Sequence, residues 1–189
     1  MSLLYIVSAG GVVVLIWAMV SFNGLVRARS RVDEAWSGVE VQLQRRHDLV
    51  PNLVETVRAY AEHESVLLHE VSEARAAAMS VRSCGRTEVA EADLSRALTG
   101  VGALIERYPD LRASEGFIRL QSQLTEVEVE IQAARRIYNT NVQKYNARVQ
   151  SFPDSLVAGF GAFRPRRFFD LALMQRATGE VLAARAASA

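Results

Sequence analysis

From Ser114 to Pro153 the chain places Phe117, Leu120, Leu124, Val127, Ile131, Ala134, Tyr138, Val142, Tyr145, Val149 and Phe152 at alternating steps of three and four. That spacing draws one continuous apolar seam along a single helix face. Before Pro153 only Gly116, near the start, weakens the run. The pattern therefore predicts about ten helical turns, roughly 55 Å at about 1.5 Å per residue. A helix of this length cannot bury its seam alone and needs partner helices of similar length.

The rest of the chain supplies them. Strand patterns are scarce and prolines stand only at Pro51, Pro109, Pro153 and Pro165, which makes the fold class all-α. A net charge of +1 argues against a nucleic-acid partner gripped by a strongly basic face. Cys84 is the single cysteine, so no internal disulfide framework exists, and it reads as an exposed linker thiol in the turn Ser80 to Arg86.

Between Ser2 and Val26 no residue is charged, and Leu3, Leu4, Ile6, Val7, Val12 to Ile16, Trp17, Met19, Val20 and Phe22 fill the length needed to cross a bilayer core of roughly 30 Å. A transmembrane helix is the expected reading, because a cleaved signal would carry a charged first segment and a small-residue cleavage site. Arg27, Arg29 and Arg31 follow at once and the opposite flank is very short. The positive-inside rule then places the bulk of the chain in the cytoplasm and the N-terminus outside.

Val32, Trp36, Val39, Leu43, Arg46, Val50, Leu53, Val57, Tyr60, Glu64, Leu67, Val71 and Ala74 continue the three-and-four rhythm to about Met79. Pro51 falls inside that run. A helical proline removes a hydrogen bond, so a kink or a break between two helices is expected near His47 to Pro51, with Asp48 capping the restart. A turn through Gly85 follows, and Glu88 and Glu91 favour a helix start near Thr87. Leu94, Leu98, Val101, Leu104 and Ile105 mark a shorter helix that ends at Tyr108-Pro109-Asp110. Three segments result: an anchor over 1–26, a helical bundle over 27–153, and a tail over 154–189. The tail opens as a loop that interleaves Arg164, Arg166 and Arg167 with Phe168 and Phe169. That composition suits contact with lipid or a partner, and equally suits rings folded back to plug the bundle. An Ala-rich stretch from Leu171 to Ala187 reads as a weak last helix.

No constellation of catalytic residues emerges. His63-Glu64 begins a zinc-protease signature, yet Leu67 stands where the second histidine belongs, and His63 and His69 are six apart on different faces. Gln44, Tyr60 and Val66 precede the histidines by three, which excludes the Glu-x-x-His pattern of di-iron bundles. No metal, cofactor or catalytic residue is assigned. More informative is a polar edge beside the long seam: Glu128, Arg135, Asn139 and Asn146, with Asp48, Asn52 and Glu55 forming a comparable line after Pro51. These are candidate registration residues, for instance Arg135 with Glu55 or Asp48, in an interhelical network.

At these positions the sequence resembles the LemA family of bacterial membrane proteins. The resemblance runs through Val32, Glu34-Ala35-Trp36, Arg46, Asp48-Leu49, Pro51 to Val54, Tyr60 and His63-Glu64. It resumes at Glu106, Tyr108 to Leu111, Phe117, Leu120, Leu124 and Glu128, and closes with Arg135, Tyr138-Asn139, Val142, Tyr145-Asn146, Phe152-Pro153 and Phe168-Phe169. It implies a bacterial inner-membrane protein with one N-terminal span and a cytoplasmic antiparallel bundle, usually of four helices, and it supplies no catalytic residues. It also implies an association with membrane-protease neighbours and, in magnetosome-forming bacteria, with membrane organisation. The expected function is a non-enzymatic scaffold or adaptor that self-associates or holds another membrane protein such as a protease. The alternative is a protein that organises or remodels the lipid bilayer. An enzyme would need a cleft where Glu, Asp or His groups converge.

Overall fold

The computed structural model describes residues 2–81 and 84–169, and the stretch read as a last helix, Leu171 to Ala187, lies outside them. Among the described residues six helices follow in order: α1 (Ser2–Arg58), α2 (Ser65–Ser80), α3 (Cys84–Ile105), α4 (Pro109–Ala113), α5 (Glu115–Gln150) and α6 (Asp154–Phe160). No strand occurs among the described residues, so the chain is all-α, a long apolar N-terminal helix followed by further helices.

α1 contains the apolar run, which is long and hydrophobic enough to cross a membrane and leaves Tyr5 to Ile16 exposed along its length. Of the two outcomes expected at Pro51, a break between helices does not occur. α1 passes through Pro51 and ends at Arg58, and the chain turns at 59–64 instead, where Tyr60 N–H donates to the Val57 carbonyl at 3.1 Å. The reason is local. Pro51 has no N–H for the carbonyl of His47, four residues back, and the Arg75 Nε of α2 donates to that carbonyl at 2.7 Å. A side chain from a second helix thus replaces the missing ladder bond. Asp48 caps nothing; it accepts from Gln44 within the same helix.

Other boundaries also move. α3 begins at Cys84, ahead of the expected start at Thr87, so Cys84 belongs to a helix rather than to a linker. Pro109 opens α4 at a first-turn position where no N–H is needed. Ser114 Oγ accepts the Phe117 amide at 3.3 Å and caps α5. The segment expected to be loop after Pro153 contains α6.

The described residues form two units, and α1 and α5 contribute to both. One unit comprises 2–38 with 136–168. Here α1 and α5 run antiparallel, for Asn141 Nδ2 donates to the Arg31 carbonyl and the Tyr138 ring packs edge-on against Trp36 at 5.3 Å. Leu25, Val32, Tyr138, Val142, Tyr145, Val149, Ala158 and Phe163 are among its buried apolar residues. Phe163 lies edge-on to Phe22 and occupies the space where a Cβ on Gly161 would stand, which explains a glycine at that turn. The other unit comprises 39–135 with 169. Its core joins Val50, Leu53 and Val57 of α1 to Leu68 and Val71 of α2, Leu94, Val101 and Leu104 of α3, Leu111 of α4, and Phe117 and Leu120 of α5. Each such side chain contributes on the order of 2 kcal/mol on leaving water.

Candidate functional site

The densest gathering of charge lies inside the second unit. Arg46 follows Leu43 by three and precedes Val50 by four, so the periodicity that buries those residues carries its guanidinium inward. Glu91 continues the phase of Leu94 and Leu98 on α3 in the same way. Both side chains are 0% exposed and form an ion pair through Arg46 Nη2. Arg46 Nη1 donates to Glu128 Oε1 of α5 at 2.7 Å and to Ser95 Oγ of α3 at 3.0 Å. The His47 imidazole, 5% exposed, meets the other Glu91 oxygen through Nε2 at 2.7 Å.

Burial above all, then the Arg46 and Arg75 charges, pushes His47 down to about 4 against a weaker opposing pull from Asp48. The ring is therefore neutral at pH 7 and donates from Nε2, because the Glu91 carboxylate only accepts. One internal positive charge faces one internal negative charge, with Glu128 at the edge. Through Arg46, Glu91, Glu128 and the Arg75 bond to the His47 carbonyl, all four of α1, α2, α3 and α5 are tied at one level. What such an arrangement can do chemically is hold register, since the Arg46 and Glu91 side chains at its centre are sealed from water.

The expected registration residues divide. Glu128 joins the network, but its partner is Arg46. Arg135 is buried with its guanidinium 4.4 Å over the Phe169 ring, while Asp48, Asn52 and Glu55 are exposed. Asn146 has a different task. Its side chain donates to the Arg166 carbonyl and accepts the Arg166 amide, both at 2.8 Å, as a neighbouring strand would. Asn139 is half-buried on the same edge of α5. Sequence reasoning passed over Ser95 and Arg75 and read Glu91 only as favouring a helix start, although the apolar phase of α3 carries Glu91 inward.

The aromatic and cationic tail also divides. Tyr145 and Tyr138 donate from their hydroxyls to the carbonyls of Arg164 and Arg167, and the Arg166 guanidinium pairs with Asp33 at 2.8 Å. The segment therefore lies along α5. Phe169, 1% exposed, is sealed beneath Arg135 and cannot contact lipid, whereas Phe168 and the Arg164 and Arg167 side chains remain exposed. Phe152, read as the last seam position, is instead 81% exposed because α5 has ended by Gln150. Beyond it, Ser21 Oγ donates to Asp154 Oδ1 at 2.6 Å, and Arg148 meets the other oxygen at 3.0 Å. The Ser21 hydroxyl foremost, then Arg148, holds the Asp154 carboxyl below its ordinary value, against a partial desolvation.

Among the described residues no three His, Cys, Asp or Glu side chains gather to hold a metal ion. His63 is exposed and His69 pairs only with Glu73 one turn on, at 3.3 Å. An open groove of about 350 Å³ in the second unit is walled by Leu53, Leu98, Val101, Phe117 and Leu124, with Glu106 and Arg112 at its edge.

Comparison with known proteins gives one consistent answer. The pattern of the LemA family matches residues 35–182. Protein LemA of Metamycoplasma hominis is 24% identical over 140 residues, which cover 72% of this chain and 63% of that protein. The magnetosome proteins MamQ 1 and MamQ 2 of Paramagnetospirillum magneticum are each 23% identical over 177 residues, 80% of this chain and 65% of theirs. The chain thus spans a little under two thirds of the length of these relatives.

Proposed function

Because the chain belongs to the LemA family, we propose that it is a membrane-anchored, non-enzymatic helical scaffold that self-associates or holds another membrane protein, a protease being one candidate. The observation that carries this reading is the sealing of Arg46, Glu91 and His47 at 0%, 0% and 5% exposure. Where the ionisable groups converge, the Arg46 Nη atoms, the Glu91 carboxylate and His47 Nε2 bond to one another or to Ser95 and Glu128, and they stiffen a helical body instead of meeting a substrate. The exposed apolar face of α1 from Tyr5 to Val20 supports the anchor. Arg27, Arg29 and Arg31 support an orientation with the helical body in the cytoplasm of a bacterial inner membrane and the N-terminus outside. Three segments then carry the work: the anchor over 1–26, the helical body over 27–153, and the tail from 154.

Light scattering of the full chain in a mild nonionic detergent, with cross-linking in its native membrane, tests the reading. A discrete oligomer or a stoichiometric membrane partner is expected. A monomer that cross-links to no protein refutes it. A second reading, organisation of the bilayer itself, is favoured by Phe152, Leu156 and Phe160, spaced four apart and all exposed around α6.

A further inference from the structure

Between α1 and α5 of the first unit lies an open cavity of about 570 Å³, lined chiefly by Gly24, Arg27, Arg31, Asn141, Lys144 and Arg148. It contains four cationic side chains and no carboxylate among its lining residues. Asp154 neutralises Arg148 from outside, and Arg27, Arg31 and Lys144 form no ion pair among the described residues. Lys144 is the single lysine of the chain. The wall on α1 is built to bring a guanidinium close: a Cβ on Gly24 would stand 2.5 Å from Arg148 Nη2.

The depth of this cavity identifies its ligand. Ser21, Gly24, Ala28 and Arg31 follow one another at steps of three and four along one face of α1. Ser21 lies within the uncharged run, and Arg27 is the first charge after it. The cavity therefore extends over about 10 Å of helix axis starting where the apolar span ends, the depth of lipid headgroups. Ser21 also holds the start of α6 through Asp154. Next to the last turns of the apolar run stand Phe152, Leu156 and Phe160, 81%, 55% and 97% exposed. An apolar row at acyl depth beside a cluster of unpaired cations one step further out matches the two ends of one molecule.

We propose that this cavity binds the phosphate of an anionic membrane lipid whose acyl chains lie beside α6. Free phosphate has the same charge chemistry but nothing to place against the apolar row. The inference rests on the anchor reading and on no protein partner.

The test uses the full chain in mixed micelles of a nonionic detergent, following thermal unfolding with added dioleoylphosphatidylglycerol, dioleoylphosphatidylcholine or inorganic phosphate. Phosphatidylglycerol is expected to raise the melting temperature saturably, and the other two to leave it unchanged. Arg31→Gln with Lys144→Gln should raise the half-saturating phosphatidylglycerol fraction about thirtyfold, as loss of two headgroup-facing cations implies. Arg58→Gln with Arg119→Gln, which removes two exposed cations of the other unit, should leave it within about twofold. All four side chains are exposed, so these variants fold. An equal shift with phosphatidylcholine, an equal shift with inorganic phosphate, or equal losses in the two double variants overturns the proposal. Resistance of the native membrane-bound protein to alkaline extraction separates the two levels: extraction overturns the anchor and the cavity together, whereas retention with no phosphatidylglycerol preference overturns the cavity alone.

Discussion

Replacing Arg46 by Met keeps most of the buried stem and removes the one cation that pairs with Glu91 among the described residues. Glu91 would then keep His47 as its remaining hydrogen-bonding side chain, and Ser95 and Glu128 would lose their shared donor. Breaking one side of a sealed pair costs about 3–5 kcal/mol. The pH dependence should also flatten. In the native protein His47 is held near 4, below its ordinary 6.5, so stability is complete above pH 6.5 and declines as pH falls toward 4. In Arg46→Met one of the charges that depress His47 is gone and an unbalanced carboxylate lies 2.7 Å away, so the imidazole's value rises from its native level toward that of the unfolded chain. The closer the two values come, the less stability the variant loses as pH falls below 6.5. The deficit should therefore be largest near pH 8 and shrink by about 1 kcal/mol by pH 6. Urea unfolding of the full chain in a mild detergent, followed by circular dichroism at several pH values, measures both effects. Adding Glu91→Gln should recover most of the loss at pH 8. A deficit under about 1 kcal/mol, or one equally large at pH 6 and pH 8, refutes the assignment of Arg46 as the charge that balances Glu91.

Three further outcomes follow from the same geometry. In the native protein, lowering pH from 6.5 to 4 should cost on the order of 2 kcal/mol through His47, and His47→Gln should flatten that part of the stability profile. Arg75→Leu bares the His47 carbonyl and should cost about 1–3 kcal/mol, but much less in a Pro51→Ala background, where the restored amide takes over; additive losses in the urea-unfolding cycle would contradict the substitution of one donor for the other. Asn146→Ala removes both bonds to the Arg166 backbone, and limited trypsin digestion should then cut at Arg166 or Arg167 well before any cut within α5, with unchanged kinetics counting against the clasp.

Periodicity made the helices legible, because apolar spacing is repeated over many residues and survives one exception. The long seam from Phe117 to Val149 holds throughout α5, and Phe152 fails only because the helix stops two residues earlier. Pro51 fails to break α1 for a physical reason. Its rule concerns the bond lost inside one helix, and the compensating donor, Arg75, is 28 positions away in sequence. The candidate site was half visible. Arg46 and Glu91 stand on buried phases and Glu128 on the edge of one, yet nothing local pairs Arg46 with α3 and α5 rather than Arg135 with Asp48 or Glu55. Pairing is set by the relative rotation of helices, which spacing within each helix does not encode. The cavity near Lys144 was invisible for a related reason: its cations come from Arg27 and Arg31 on one helix and Lys144 and Arg148 on another, and only the antiparallel register brings them together.

The central claim is that the buried charges hold the body in shape and that its surface carries the function. Replacing the sealed pair by apolar side chains, Arg46→Met with Glu91→Leu, tests it most directly, since such exchanges leave stability within about a few kcal/mol of the original or raise it. The cross-linking profile of that folded variant in the native membrane should match that of the unaltered protein. A folded variant that loses those cross-links would contradict the account and return the buried cluster to a direct role in function.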